Sequence, residues 1–228
     1  MAQTDGATIH DSRLGRASVK SDVAALLLAA GRSSRMGKFK PLLPFGDQTV
    51  VESCLANLRA AKIEEIILVI GYRADEIRDH LANAEVQFAI NPDPDSEMSA
   101  SIARGIEQVN PHAEALLIAL VDHPAVPAET LCTLIDEWTR TGARLIQPEY
   151  HGKGGHPVLV DLSFRDELKY LDSTEGLRGL FRRHRNEARR LTVSSPYVAR
   201  DMDTWEDYVA LHEEVFGYPP AIDLGDFS

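Results

Sequence analysis

Short, unbroken apolar runs separated by amphipathic stretches set the rhythm of this chain. Val23–Leu28 is continuous and apolar and ends in Ala-Ala-Gly, and Ile66–Ile70, Val86–Ile90 and Ala115–Val121 share its character. Runs this short, with no polar alternation, suit strands buried on both faces of a sheet. Helix-period patterns lie between them at Val50–Ala61, Ala74–Leu81 and Ser99–Val109. Strand–helix alternation of this kind predicts an α/β fold: a Rossmann-like, doubly wound, mostly parallel sheet with helices on both faces. Val23–Leu28 is its expected central strand.

After an amphipathic helix at Thr130–Arg140, opened by Pro127-Ala-Glu, the rhythm changes to Ala143–Gln147, a Gly-rich turn and His156–Val160. We read this as a strand pair or small β-hairpin inserted over the sheet. Short helices are expected at Leu162–Tyr170 and Glu175–His184, a strand at Arg190–Val193, and a closing helix at Thr204–Phe216 ended by the Gly and Pro of 217–220. The polar residues 1–21, without periodicity, read as a flexible leader. Residues 22–216 read as one domain, and the acidic tail 217–228 as disorder or a lid.

A chain of 228 residues, 44% hydrophobic, can bury one sizeable core. Its formal net charge of −11 argues against a general basic field that grips nucleic acid or an anionic membrane, so an anionic ligand must be held by local chemistry. The cluster Arg182-Arg-His-Arg185 is brief and reads as a solvated helix end rather than a nucleic-acid patch. Cys54 and Cys132 lie within helical patterns and not at metal-ligand spacing, which suits reduced thiols. No membrane-length apolar run and no signal-peptide pattern is present, so the expected location is the cytoplasm.

Leu28-Ala-Ala-Gly-Arg-Ser-Ser-Arg-Met-Gly37, followed by Lys38-Phe-Lys-Pro, lies where an open α/β sheet takes ligands, beyond the carboxyl end of a strand. Ala29, Ala30 and Gly31 let backbone N–H groups approach a phosphate or base. Arg35 and Lys40 supply cationic donors for a polyphosphate. The glycine spacing matches neither the dinucleotide fingerprint nor the Walker loop, and on residue types alone an ordinary βα turn with two exposed cations remains open. Asp122, after the apolar run Ala115–Val121, is either a Mg²⁺ ligand or the N-cap of the next helix. Ser99 and Ser101 either offer hydroxyls and free N–H groups to a base edge or cap their helix.

These residues resemble the MobA-like nucleotidyltransferases, a family that includes molybdenum cofactor cytidylyl- and guanylyltransferases and is related to sugar-1-phosphate uridylyltransferases. The signature Leu-Ala-Ala-Gly, then Arg-Met-Gly and a Lys three residues on, is met by Leu28–Gly31, Arg35–Gly37 and Lys40. The resemblance implies a nucleotide-diphospho-sugar-transferase-like fold. It also implies a triphosphate wrapped by Leu28, Ala29, Ala30, Gly31, Arg32, Ser33, Ser34 and Gly37, with Arg35, Lys40 and Asp122 as catalytic groups. Leu120-Val-Asp-His-Pro124 and Asp201-Met-Asp-Thr-Trp-Glu-Asp-Tyr208 resemble the family's acidic elements, so Asp122 and Asp203 would hold the cofactor Mg²⁺, with Asp201 as fallback. Asn91 to Gly105 resembles the segment beside base and ribose, which brings in Asn91, Ser99 and Ser101. Glu97 and Trp205 depart from the usual Gly and Pro. Gly152-Lys-Gly-Gly-His-Pro157 resembles the acceptor-side loop of the cytidylyltransferase branch, so Gly155 and His156 would face the acceptor, His156 as a phosphate donor rather than a general base.

The implied reaction is attack by an acceptor phosphate on the α-phosphorus of a nucleoside triphosphate, releasing pyrophosphate. Ala30 resembles the pyrimidine-using branches, pointing to CTP, and Gly-His-Pro points to molybdopterin as acceptor and to a client molybdoenzyme as partner. A sugar- or polyol-phosphate nucleotidyltransferase, a molybdopterin guanylyltransferase and a non-catalytic nucleotide-binding maturation partner are the alternatives.

Overall fold

The computed structural model describes residues 22–221. The expected leader 1–21, and the end of the expected tail from 222 onward, lie outside the described residues. The strands are β1 (Val23–Ala29), β2 (Pro44–Phe45), β3 (Gln48–Thr49), β4 (Glu65–Ile70), β5 (Gln87–Ile90), β6 (Ala115–Leu120), β7 (Leu145–Tyr150), β8 (Lys153–Gly154), β9 (Val158–Asp161) and β10 (Ala188–Thr192). The helices are α1 (Val50–Ala60), α2 (Ala74–His80), α3 (Met98–Ile106), α4 (Ala128–Thr141), α5 (Arg165–Lys169), α6 (Gly176–Arg183) and α7 (Trp205–Phe216), with a 3-10 turn at Lys40–Leu42.

All of β1 is buried, as its unbroken apolar run predicts. It lies between β4 and β6, parallel to both, in a sheet ordered β10-β7-β9-β6-β1-β4-β5. Alternate β1 residues enter opposite layers: Ala25 and Leu27 join Leu55, Leu58 and Leu134 of α1 and α4, whereas Ala24 and Leu26 join Ile102, Leu168 and Leu180 of α3, α5 and α6. Gly105 allows α3 to ride close on the sheet, since a Cβ there would sit 2.8–2.9 Å from side-chain carbons of Leu26 and Val69.

The segments expected as a strand pair lying over the sheet instead run in its plane. β9 is antiparallel to β6 and β7, and β10 is parallel to β7. The physical reason is two-sided burial: Ile146 and Leu159 enter one core layer while Leu145, Val158 and Val160 enter the other. Only the short β7–β8 return forms the hairpin, turning at His151 and Gly152, which both have positive φ.

A third apolar cluster joins Met36, Phe45, Val50, Met202, Tyr208 and Leu211. It fastens α7 to the β2–β3 hairpin, where the Tyr208 hydroxyl donates to the Pro44 carbonyl at 2.6 Å. Thr49 and Thr204 cap α1 and α7, each in a reciprocal capping box with Glu52 or Asp207.

Candidate active site

Beyond the carboxyl ends of β1 and β6 lies a cleft of about 290 Å³. Its first wall is the loop that follows β1. The Ala30 carbonyl accepts the Tyr72 N–H at 3.0 Å, and the carbonyl of Ser33, itself left-handed at φ 54°, accepts the N–H groups of Met36 and Gly37. This turn buries Met36 and leaves Ser33, Ser34 and Arg35 along the cleft with Leu28, Ala29, Ala30 and Gly31. Arg32 points elsewhere: it grips Asp95 through Nε at 2.6 Å and Nη2 at 3.1 Å and lies 5.1 Å from the Tyr72 ring centre. Gly37, at φ 68°, serves the turn and does not line the cleft.

The second wall is the start of α3. Asn91 is buried, and its amide Nδ2 donates to the hydroxyls of Ser96 and Ser101, both at 2.9 Å. Asn91 therefore stands behind the cleft, while Ser96, Met98 and Ser101 line it. Neither Ser99 nor Ser101 caps the helix: the N-cap is Glu97, with no side-chain cap bond. Ser99 is buried outside the lining.

The floor is electrostatic. The Met202 N–H donates to the Asp122 carbonyl at 3.1 Å, stitching the segment before α7 to the end of β6. That stitch brings Asp203 beside Asp122, and Lys40, buried in its 3-10 turn, reaches both. Its Nζ lies 3.3 Å from Asp203 Oδ1 and 3.9 Å from Asp122 Oδ2. The Arg35 guanidinium pairs with Asp203 Oδ2 at 2.6 Å. Asp201, two residues earlier, is exposed and outside the cleft.

Asp122 Oδ1 is buried and has no hydrogen-bond partner. His123 lies next to it, but its Nδ1 faces the Tyr197 carbonyl at 3.1 Å. Nδ1 must carry the hydrogen donated there, and Nε2 lies 3.6 Å from Asp122 Oδ1, beyond hydrogen-bond distance. A buried carboxylate oxygen so placed is costly unless a cation faces it. Asp122 and Asp203 together suit a hard divalent cation that takes its other oxygens from phosphate and water, since among the described residues no group of three or more His, Cys, Asp or Glu forms a cage.

His156 departs from its expected place. Its ring lines a second groove rather than this cleft, 5.8 Å from the His123 ring, and burial, then the neighbouring His123, pushes its pKa down to about 4. It is a neutral imidazole at physiological pH, not a cationic phosphate ligand. Gly155 lies against the Val198 backbone, where a Cβ would come within 1.7 Å of the carbonyl oxygen, so it shapes the wall and does not touch the cleft.

Ser96, Met98, Pro41, Leu120 and Val121 line the cleft without having been singled out in the sequence. Ser96 carries a local signal, because Asn91 and Asp93 cap the turn that presents it.

Residues 25–188 match the MobA-like NTP transferase domain. The chain is a member of that nucleotidyltransferase family. It is 24% identical over 194 residues to the molybdenum cofactor cytidylyltransferase of Escherichia coli K12, covering 85% of this chain and 97% of the relative. It is 25% identical to the nicotine blue oxidoreductase of Paenarthrobacter nicotinovorans, covering 83% and 96%. The crystal structure of Rv0371c from Mycobacterium tuberculosis H37Rv superposes with a TM-score of 0.77 at 31% identity, covering 86% of this chain and 100% of that one. Rv0371C has also been solved as a complex with manganese, which superposes with a TM-score of 0.73 at 30% identity over 84% of this chain and 98% of that one. As a family member the chain takes a nucleoside triphosphate and a phosphorylated acceptor. Asp203 lies beyond the matched span, so its place beside Asp122 comes from the fold. Glu97 and Trp205, the two departures from the family pattern, lie outside the cleft lining.

Proposed function

We propose that this protein is a Mg²⁺-dependent cytidylyltransferase that transfers CMP from CTP to the phosphate of molybdopterin and releases pyrophosphate. The observation that carries this is the convergence of Arg35, Lys40, Asp122 and Asp203 on one cleft, with a buried Asp122 oxygen left unpartnered. Asp122 and Asp203 would hold Mg²⁺, which when bound neutralises phosphate charge and polarises the α-phosphoryl group. Arg35 and Lys40, now paired with carboxylates, would exchange part of that contact for phosphate oxygens as nucleotide and metal arrive together.

The acceptor phosphate, with a second pKa of about 6, is already largely ionised at neutral pH and needs no general base. The chain's own residues then act by position and charge: Ser33, Ser34 and the backbone at Ala30 and Gly31 orient the triphosphate, and Lys40 and Arg35 offset charge on the departing pyrophosphate. Two features favour CTP and molybdopterin: Ala30 in the base-side loop, and the near full-length match to an enzyme of that name.

The test is pyrophosphate release from CTP, GTP, UTP and ATP with Mg²⁺, each with and without molybdopterin. Release from CTP that requires molybdopterin is expected. Release with a sugar phosphate and none with molybdopterin would overturn the acceptor. Binding of nucleotide without release for any acceptor would make the protein a nucleotide-binding partner instead.

A further inference from the structure

Between α6 and strands β7, β9 and β10 lies a second groove, about 460 Å³ in volume and larger than the nucleotide cleft. Arg178, Arg182, Arg185, Arg189 and Arg190 line it with His156, and no carboxylate does. In a chain of net charge −11 that is a local reversal of sign. Three of the arginines are already engaged: Arg182 with Glu175, Arg189 with Glu137 and Arg190 with Glu149. Arg178 and Arg185 have no ion-pair partner among the described residues.

The groove also lies close to the cleft. Asp122 Oδ1 lies 3.6 Å from Nε2 of His123, whose ring is tilted against that of His156 with centres 5.8 Å apart, and His156 lines the groove. Two imidazoles therefore separate the carboxylate floor from the arginines. The buried Nδ1 of His156 has no partner within the protein. None of the groove's arginines, nor His156, lines the nucleotide cleft.

We propose that this groove seats a second anionic group of the acceptor, so that the acceptor is a phosphomonoester carrying further negative charge at a distance from its reacting phosphate. Arg178 and Arg185 supply the free guanidinium forks, and the other three arginines supply field. The inference rests on the transferase reading above, and its test separates the two. A planar guanidinium fork binds such a group bidentately, which gives the acceptor orientation as well as affinity.

The binding arm uses inorganic phosphate as probe, with the cleft filled by Mg²⁺ and α,β-methylene CTP, and follows arginine Nε–H resonances by NMR. Saturable shifts at Arg178 and Arg185 are expected. The double variant R178A/R185A should weaken phosphate binding about tenfold or more and leave α,β-methylene CTP affinity unchanged. No saturable shift, or a double variant that binds phosphate like the parent, would overturn the groove.

The kinetic arm measures molybdopterin turnover in the same variant. A rise of about tenfold in acceptor KM, with kcat and the CTP KM unchanged, is expected; an unchanged acceptor KM would overturn the proposal. Saturable phosphate binding at the two arginines in a chain that fails to turn over molybdopterin would sustain the groove and remove only the acceptor assigned above.

Discussion

Asp201 and Asp203 stand two residues apart in one acidic segment, yet only Asp203 meets Lys40 and Arg35 in the cleft. Asp203→Ala should lower kcat by about two to three orders of magnitude, the scale expected when a charge-stabilising group is removed from a transfer site. Asp201→Ala should leave turnover within about twofold, as for surface substitutions generally. Steady-state pyrophosphate release compares the two, and equal losses would contradict the placement. His156 yields a pH prediction. Its pKa falls from 6.5 to about 4 on folding, so the unfolded chain binds the extra proton between those values. The stability tied to its neutral form is complete above about pH 6.5 and falls as pH drops toward 4, by up to about 3 kcal/mol. His156→Gln should flatten that part of the pH dependence in urea titrations at pH 7.5 and 5. A slope identical to the parent's would place the titration elsewhere.

At the scale of elements, the strands buried on both faces were legible because their apolar runs are too short for a buried helix and alternate with helix-period stretches. The pairing of β7 and β9 within the sheet was not, since a run of Val and Leu does not say which neighbours flank it. The β4–α2 turn shows a constraint that only packing reveals. A Cβ on Gly71 would stand 2.7 Å from the Asn91 carbonyl oxygen and 2.9 Å from that of Ala30. Gly71→Ala must therefore push apart the two loops that form the cleft walls. We expect a loss of about 1–3 kcal/mol in stability together with weaker nucleotide binding, read from the urea midpoint and a nucleotide titration. A stable variant that binds nucleotide normally would show that the loops move independently of each other.

For the whole molecule, nucleotide and divalent metal should act as a single stabiliser, because Lys40, Asp122 and Asp203 come from three distant parts of the chain. At Mg²⁺–CTP concentrations about one hundred times Kd, mass action adds about 2.7 kcal/mol, a rise in Tm of about 5–10 °C. Chelating the metal should remove most of that rise in a thermal melt, whereas an equal shift without metal would mean that the carboxylates play no part in nucleotide binding. The sequence by itself determined the alternating α/β architecture and the glycine-containing loop after β1, since these follow from periodicity and from local backbone freedom, while the pair Asp122 and Asp203 was legible only through the resemblance to the family's acidic elements. Only the tertiary structure decided that Asp203 rather than Asp201 faces the cleft, that Asn91 stands behind its serines and that His156 opens onto an arginine-lined groove. Those outcomes depend on which side of a segment faces its neighbour, and that is fixed by contacts such as the Met202–Asp122 backbone bond and the packing of α7 on the β2–β3 hairpin, which join residues far apart in the chain.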